Sequence, residues 1–364
     1  MARRRFIDLP FRIHGHDPSW VPPLRYAVWD RLSSRHPAGE HQEWALWTAH
    51  RHGRPVARIG ACIDRLFDRF QAKSWLWVGF FEAFDDAEAA AALFETAWDW
   101  GRRHGATTAV GPASFTTNDE CGLLVDGFDS APSVLTTHNP PYYERLWTAA
   151  GWEPAMDLWG WRGDLDTNPG LSDRQRRSLD RLSRSHDFEV RELDMKDFDA
   201  DVLRFFQVYS SAWERNWGFA PMTEAEVRHL AKDLKQIVDP SLVLFAQRST
   251  GETVGAALAL PDVNESLRSV RSGRLLPFGW VRLLVGTRRA HGVRVLALGV
   301  DSEVRSRALG PLLYHELAQR IMARPHATWA EGSWVLASNT AMNRACEALG
   351  GRHVKTWRMY EHQL

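Results

Sequence analysis

At 364 residues the chain has room for two domains, and its 44% apolar and 25% charged residues let each half bury a core, which excludes wholesale disorder. Its 45 acidic and 45 basic residues cancel, so the basic field that non-specific nucleic-acid binding needs is missing and no nucleic-acid partner is expected. Cys62, Cys121 and Cys346 are odd in number and widely spaced, which fits neither a disulfide framework nor a zinc site. A reducing, cytoplasmic setting and metal-free chemistry are therefore expected.

The amino terminus runs from Met1-Ala-Arg-Arg-Arg5 into Phe6-Ile7-Asp8-Leu9-Pro10, without the apolar stretch of a signal peptide. No run approaches the ~20 apolar residues of a membrane span. Trp44–Ala49 and Val56–Ala61 predict a β-hairpin turning at His52-Gly53. Trp75–Glu82 predicts a third strand, and Asp86–His104 a helix with Ala89, Leu93, Ala97 and Trp100 at helical spacing and Gly105 as its stop. A strand at Thr107–Val110, a helix at Tyr142–Ala150 and a pair of short strands within Trp152–Arg162 follow. Much the same order returns: a hairpin at Leu242–Gln247 and Thr253–Leu260, a strand at Val293–Val300, a helix at Gly310–Met322, a strand at Trp329–Trp334, a helix at Thr340–Leu349 and a strand at His353–Tyr360. The pattern is an internal structural repeat without close sequence identity. Residues 1–165 and 187–364 are the two halves, with a polar linker over 166–186 that contains Asn168-Pro169-Gly170.

The segment Val293–Val300, followed by Asp301–Gly310 and a helix, carries the clearest chemistry. A strand that passes through small residues into a helix amino terminus leaves backbone N–H groups aimed at one spot, and the helix dipole favours phosphate there. Arg305 and Arg307 can reinforce it against a pyrophosphate. This segment resembles the coenzyme A loop of the GNAT superfamily, which has Gln or Arg, two residues, Gly, one residue, then Gly or Ala. Here it is Arg305-x-x-Ala308-Leu309-Gly310, with Ala308 departing from the first glycine. The resemblance implies an α/β (α+β) fold of two GNAT-like halves, each a mixed twisted sheet flanked by helices. It also implies an acyl-CoA co-substrate whose pantetheine amides pair with Leu298-Gly299-Val300.

Asn339-Thr-Ala-Met-Asn343-Arg-Ala-Cys346-Glu-Ala-Leu-Gly350 is similar to the next GNAT element, an Asn before a helix that ends in glycine. It implies Asn339 and Asn343 beside the cofactor. Cys346 stands where the family often has a tyrosine as general acid, and buried helix packing is the alternative role for that thiol. Glu331 lies in the preceding strand, where GNAT enzymes present a group to the acceptor amine, and is the first candidate for the base. Asp262 and Asn264, after the Thr253–Leu260 strand, are second candidates, with turn capping as the alternative.

Asp17–Leu24, Gly111-Pro112, Asn118–Leu124, Gly127–Asp129, Asn139–Tyr143, Asn216–Thr223 and Gly350-Gly351 resemble a bacterial GNAT-like family that includes bacterial ceramide synthases. That resemblance covers nearly the whole chain. It implies fatty acyl transfer from acyl-CoA to the amine of a long-chain sphingoid base, 3-oxosphinganine or sphinganine. The amino-terminal half lacks the phosphate loop, since Phe84-Asp85-Asp86 puts acid where phosphate would sit, so this half is expected to shape the acceptor pocket. Asn118, Asp119, Glu120 and Tyr142 are its polar candidates, with Asn216 and Trp217 from the other half. Arg274–Arg289 has an apolar middle flanked by arginine, which suits a peripheral contact with the cytoplasmic face of the inner membrane or a guard over an acyl tunnel, with a buried core helix that has a basic end as the alternative. A GNAT enzyme for another amine, a FemABX-like aminoacyl transferase and a non-catalytic acyl-CoA-binding protein stay open as alternatives.

Overall fold

The computed structural model describes residues 2–166, 177, 188–301, 304 and 309–364. Arg305, Arg307, Ala308 and most of the expected linker lie outside the described residues.

Twelve strands form one continuous sheet. They are β1 (Gln42–Arg51), β2 (Arg54–Asp64), β3 (Trp75–Ala83), β4 (Thr108–Gly111), β5 (Leu123–Asp126), β6 (Glu153–Asp164), β7 (Phe188–Glu192), β8 (Val243–Arg248), β9 (Thr253–Pro261), β10 (Gly292–Val300), β11 (Trp329–Leu336) and β12 (Arg352–Gln363). Their order is β1-β2-β3-β4-β12-β6-β11-β10-β9-β8-β7, with β5 pairing onto β12. Each half therefore gives its last strand to the seam. The final strand of the chain lies between β4 and β6, and β6 pairs with β11. Trp152–Arg162, expected as two short strands, is one twelve-residue strand because β12 and β11 hydrogen-bond along its two edges.

The helices α1 (Ala2–Ile13), α2 (Arg25–Arg31), α3 (Arg65–Gln71), α4 (Ala87–Arg103) and α5 (Tyr142–Ala149) belong to the first half, and α6 (Phe198–Trp213), α7 (Glu224–Leu234), α8 (Asn264–Leu267), α9 (Gly279–Arg289), α10 (Leu309–Met322) and α11 (Thr340–Ala348) to the second. The helical spacing expected in the first half is realised in α4. Asp86 caps it by accepting from the Ala89 N–H, and Ala89, Leu93 and Ala97 enter the core while Gly105 turns the chain out at φ +83°. That core joins α4 and α5 to one face of β2 and β3, through Phe94, Trp147 and Trp152. Its counterpart sets Leu309, Leu312, Leu313 and Leu317 of α10 against Ala257, Ala259 and Val293. The first half's opposite face carries a second cluster, with Trp77, Phe115 and Trp357.

Two parallel strand pairs position the site. β10 pairs with β11 only from Gly292–Val295 to Trp329–Gly332, although both strands continue. A bulge interrupts β10 between Val295 and Ala297 in its ladder with β9, and beyond it the two parallel strands diverge. β3 and β4 likewise pair only from Trp75–Trp77 to Thr108–Val110.

Candidate active site

At the head of the β10–β11 gap stands a buried polar cluster. Arg294, 4% exposed, donates from Nε to Ser333 Oγ at 3.0 Å, from Nη2 to the Ser333 carbonyl at 2.9 Å and from Nη1 to the Val134 carbonyl at 2.5 Å. Burial pulls its guanidinium down to about 10, with Glu331 as the largest opposing influence. Glu331, 3% exposed, accepts on one oxygen from Ser133 Oγ at 2.6 Å and Ser333 Oγ at 2.7 Å. Asp262 accepts from the Val134 N–H at 2.8 Å and the Asn264 N–H at 3.2 Å. Burial lifts its carboxyl to about 7. The structure thus brings Glu331 and Asp262 together around Val134, with Arg294 between strand and loop. Sequence reasoning passed over Arg294, whose signal was a lone cation inside the apolar run Val293–Val300.

Ser133 and Val134 belong to the long connection between β4 and α5, residues 112–141. Its first turn bridges Ala113 to Cys121 and holds Glu120, whose carbonyl accepts from the Ser114 N–H. The Glu120 side chain is exposed. Desolvation, and then Asp119, lifts its carboxyl to about 7 while Arg294 pulls it down. A carboxyl held near neutrality has one property of a general base.

α6 supplies an aromatic wall. A Cβ on Gly299 would come within 2.3 Å of the Trp213 ring, so only glycine lets that ring lie on β10, and Trp213 stacks on Tyr209 with centroids 4.9 Å apart. Trp217 follows, 5.6 Å from Trp75. Leu298 and Val300 turn to the α10 core, which leaves their backbone edge beside the gap. At the start of α10, a Cβ on Gly310 would meet no described residue within 4 Å.

The remaining expected residues have other tasks on view. Asn339 caps α11 through the Met342 N–H, and Asn343 accepts from Trp161 Nε1 at 2.9 Å while donating to the Leu336 and Ala337 carbonyls. Asn118 donates to the Ala220 carbonyl at 2.9 Å, fastening the roof loop to the turn that holds Asn216 and Trp217. The Tyr142 hydroxyl donates to Ala83 at the end of β3, within the first half's core. Burial raises the Cys346 thiol to about 11. Burial, and then Cys346, raises the Tyr314 hydroxyl of α10 to about 12. Asp30, His36 and His229, distant in sequence, place ligand atoms within 4.8 Å of one another, and a His229–Asp30 hydrogen bond of 2.7 Å ties α2 to α7.

The chain is 38% identical to the bacterial ceramide synthase of Caulobacter vibrioides over 368 residues, covering 99% of this chain and 94% of that protein. It belongs to the bacterial ceramide synthase family. Protein YghO of Escherichia coli is 32% identical, with 99% of this chain and 93% of that protein covered. No family model matches the chain. Among solved structures, a tandem GNAT protein from the clavulanic acid biosynthesis pathway superposes with a TM-score of 0.57 at 13% identity, over 99% of this chain and 94% of that one. A GCN5-related N-acetyltransferase from Sphaerobacter thermophilus gives 0.52 at 16% identity, over 100% and 91%. At such identities the likeness shows the fold, which is the tandem GNAT α/β fold.

Proposed function

We propose that the chain is an acyl-CoA-dependent N-acyltransferase that moves a fatty acyl group to the amine of a long-chain sphingoid base, 3-oxosphinganine or sphinganine, in bacterial ceramide synthesis. The observation that carries this reading is full-length similarity to a ceramide synthase in a chain whose sheet has one gap open for a thioester. In this reading residues 187–364 hold acyl-CoA, with the Leu298-Gly299-Val300 edge on the pantetheine and Leu309-Gly310, with Arg305, Arg307 and Ala308, on the pyrophosphate. Residues 1–165 shape the acceptor pocket, the linker spans 166–186, and Trp213, Trp217 and the Asn118–Asn216 junction wall the apolar chains.

The acceptor ammonium must lose a proton before its nitrogen can attack the thioester carbonyl. We assign that proton to Glu120. Glu331 and Asp262 keep the supporting role, since both spend oxygens on the roof loop at Ser133 and Val134. The nitrogen–carbon bond forms, the carbon–sulfur bond breaks, and the departing thiolate takes a proton from Cys346 or Tyr314, both protonated at neutral pH; the second proton that the nitrogen sheds in becoming an amide leaves to solvent, from which that donor is reprotonated. The reading puts the protein in the cytoplasm with a peripheral membrane contact. Among the described residues no helix is long and apolar enough to cross a membrane. Purified protein incubated with palmitoyl-CoA and sphinganine should yield the N-acyl amide by mass spectrometry. Absence of amide with either sphingoid base would overturn the acceptor.

A further inference from the structure

α9 turns two different faces outward and inward. Inward, Leu283 joins Val134, Leu260 and Val263 in one buried cluster that also receives Leu296, the residue at the bulge of β10. Gly286 lies so close to α8 that a Cβ there would stand 1.5 Å from Ser266 Oγ. The helix is therefore fastened to the wall of the candidate site rather than loosely attached. Outward, Trp280, Val281, Leu284 and Val285 form an apolar stripe at helical spacing, exposed at 48%, 40%, 47% and 47%, and the preceding loop adds Leu276 at 78% and Phe278 at 72%. Six large apolar side chains on one short segment exceed the scattered exposure that a soluble surface ordinarily carries.

The charge around this stripe names its partner. From Ser266 to Ala290 the chain has six arginines, Arg268, Arg271, Arg274, Arg282, Arg288 and Arg289, and no aspartate or glutamate, in a protein whose total charge is zero. All six are exposed. Arg271 is partly committed, donating to the Trp20 and Asp17 carbonyls, and Arg25 of α2 anchors the same loop through the Ser272 carbonyl. An eleven-residue helix, roughly 16 Å long at 1.5 Å per residue, is far too short to span but suited to lying in the headgroup plane. Apolar side chains then enter the acyl boundary while arginines reach lipid phosphates. A second protein with the same apolar stripe would have to supply a matching acidic rim, which a second copy of this basic face cannot.

We infer that α9 with the Leu276–Gly279 loop is an in-plane docking surface for an anionic lipid bilayer, and that docking sets the mouth of the acyl-transfer site against the membrane. The inference rests on the proposed function only in taking the acceptor to be a membrane lipid, since docking itself depends on the surface alone. It deepens that reading by giving the lipid amine a route from the bilayer that never crosses water.

Flotation of the full chain with phosphatidylcholine vesicles, with and without phosphatidylglycerol at about one part in four, tests it. Binding should appear with the anionic vesicles, weaken as salt rises, and fall at least tenfold in Phe278→Ser/Leu284→Ser and again in Arg282→Glu/Arg289→Glu. These residues are exposed, so folding should survive, which circular dichroism checks. Acylation of a base embedded in vesicles should fall with binding, whereas acylation of a short-chain base in solution should not. If no amide forms but vesicle binding follows this pattern, the docking stands and the acceptor assignment fails. Equal binding by wild type and both variants would overturn the docking surface, as would a dimer in light scattering that the serine variant alone dissolves.

Discussion

The two halves of the sheet carry the same kind of opening and use it differently. Between β3 and β4 the protein fills the gap with its own chain. A Cβ on Gly79 would stand 1.9 Å from the Ala113 carbonyl oxygen, and one on Gly111 would stand 2.3 Å from that of Val78. The Ala113 N–H donates to Val78 at 2.8 Å, the Phe80 N–H to Ser114 Oγ at 3.0 Å, and the Phe80 and Phe115 rings meet edge to face at 5.0 Å. The helix that follows β3 is capped by Asp86, whose carboxylate already occupies the N–H of Ala89 and pairs with Arg51. Between β10 and β11, Gly332, at the register of Gly111, would place a Cβ against no described residue within 4 Å, and so would Gly310 at the start of α10. One gap is closed by protein and acid. The other is open, and under the proposed function it takes the thioester and its phosphates, with the second half binding acyl-CoA and the first walling the acceptor.

The strongest way to break this contrast is Gly310→Glu, which sets a carboxylate where α10 presents its first N–H groups. Acyl-CoA binding should be abolished in a folded protein, and unchanged affinity by calorimetry would displace the assigned loop. Next is Glu120→Gln, which keeps shape but removes the basic oxygen. Turnover should fall about 100-fold or more while acyl-CoA affinity holds. The wild-type rate should climb with pH through about 7 as Glu120 ionises, and that limb should vanish in the variant. Glu331→Gln offers the ranking test. If it loses activity with the same loss of the pH limb while Glu120→Gln keeps it, the base is Glu331, as its strand position first suggested.

A smaller effect separates the two gaps by stability. Gly79→Ala should cost about 1–3 kcal/mol in urea unfolding, because the backbone at Ala113 must give way. Gly332→Ala should stay within about 0.5 kcal/mol. Equal costs would mean the gaps are packed alike. The smallest effect concerns His41, which bridges Asp64 of the first half and Glu226 of α7, each at 2.9 Å. Burial pulls its imidazolium down, but those hydrogen bonds outweigh burial and lift it from 6.5 to about 9. Its contribution is therefore complete below pH 6.5 and lost as pH rises through 9. Unfolding midpoints should fall across that interval, and His41→Gln should flatten the fall.

Much of this contrast was legible in the residues. The Phe84-Asp85-Asp86 acid and the small residues ending at Gly310 are local signals, and local chemistry decides whether a helix end accepts phosphate. The hairpins and α4 were legible too, because alternation and the Asp86 cap are local. What the sequence hid depends on distant partners. No periodicity says that β12 inserts beside β4, and the turn-rich residues 112–141 gave no sign of being both plug, at Ala113–Phe115, and roof, at Ser133 and Val134. Glu331 is the base candidate that its strand suggests, but its contact with Ser133, 198 residues away, was not legible. α6 was missed, and with it the aromatic wall of Tyr209 and Trp213.

The most direct test of one open and one plugged gap is the stoichiometry of acyl-CoA binding, measured by isothermal titration calorimetry on the full chain. One molecule per chain, lost entirely in Gly310→Glu, is the result this account predicts. Two per chain, or one that survives Gly310→Glu, would contradict it.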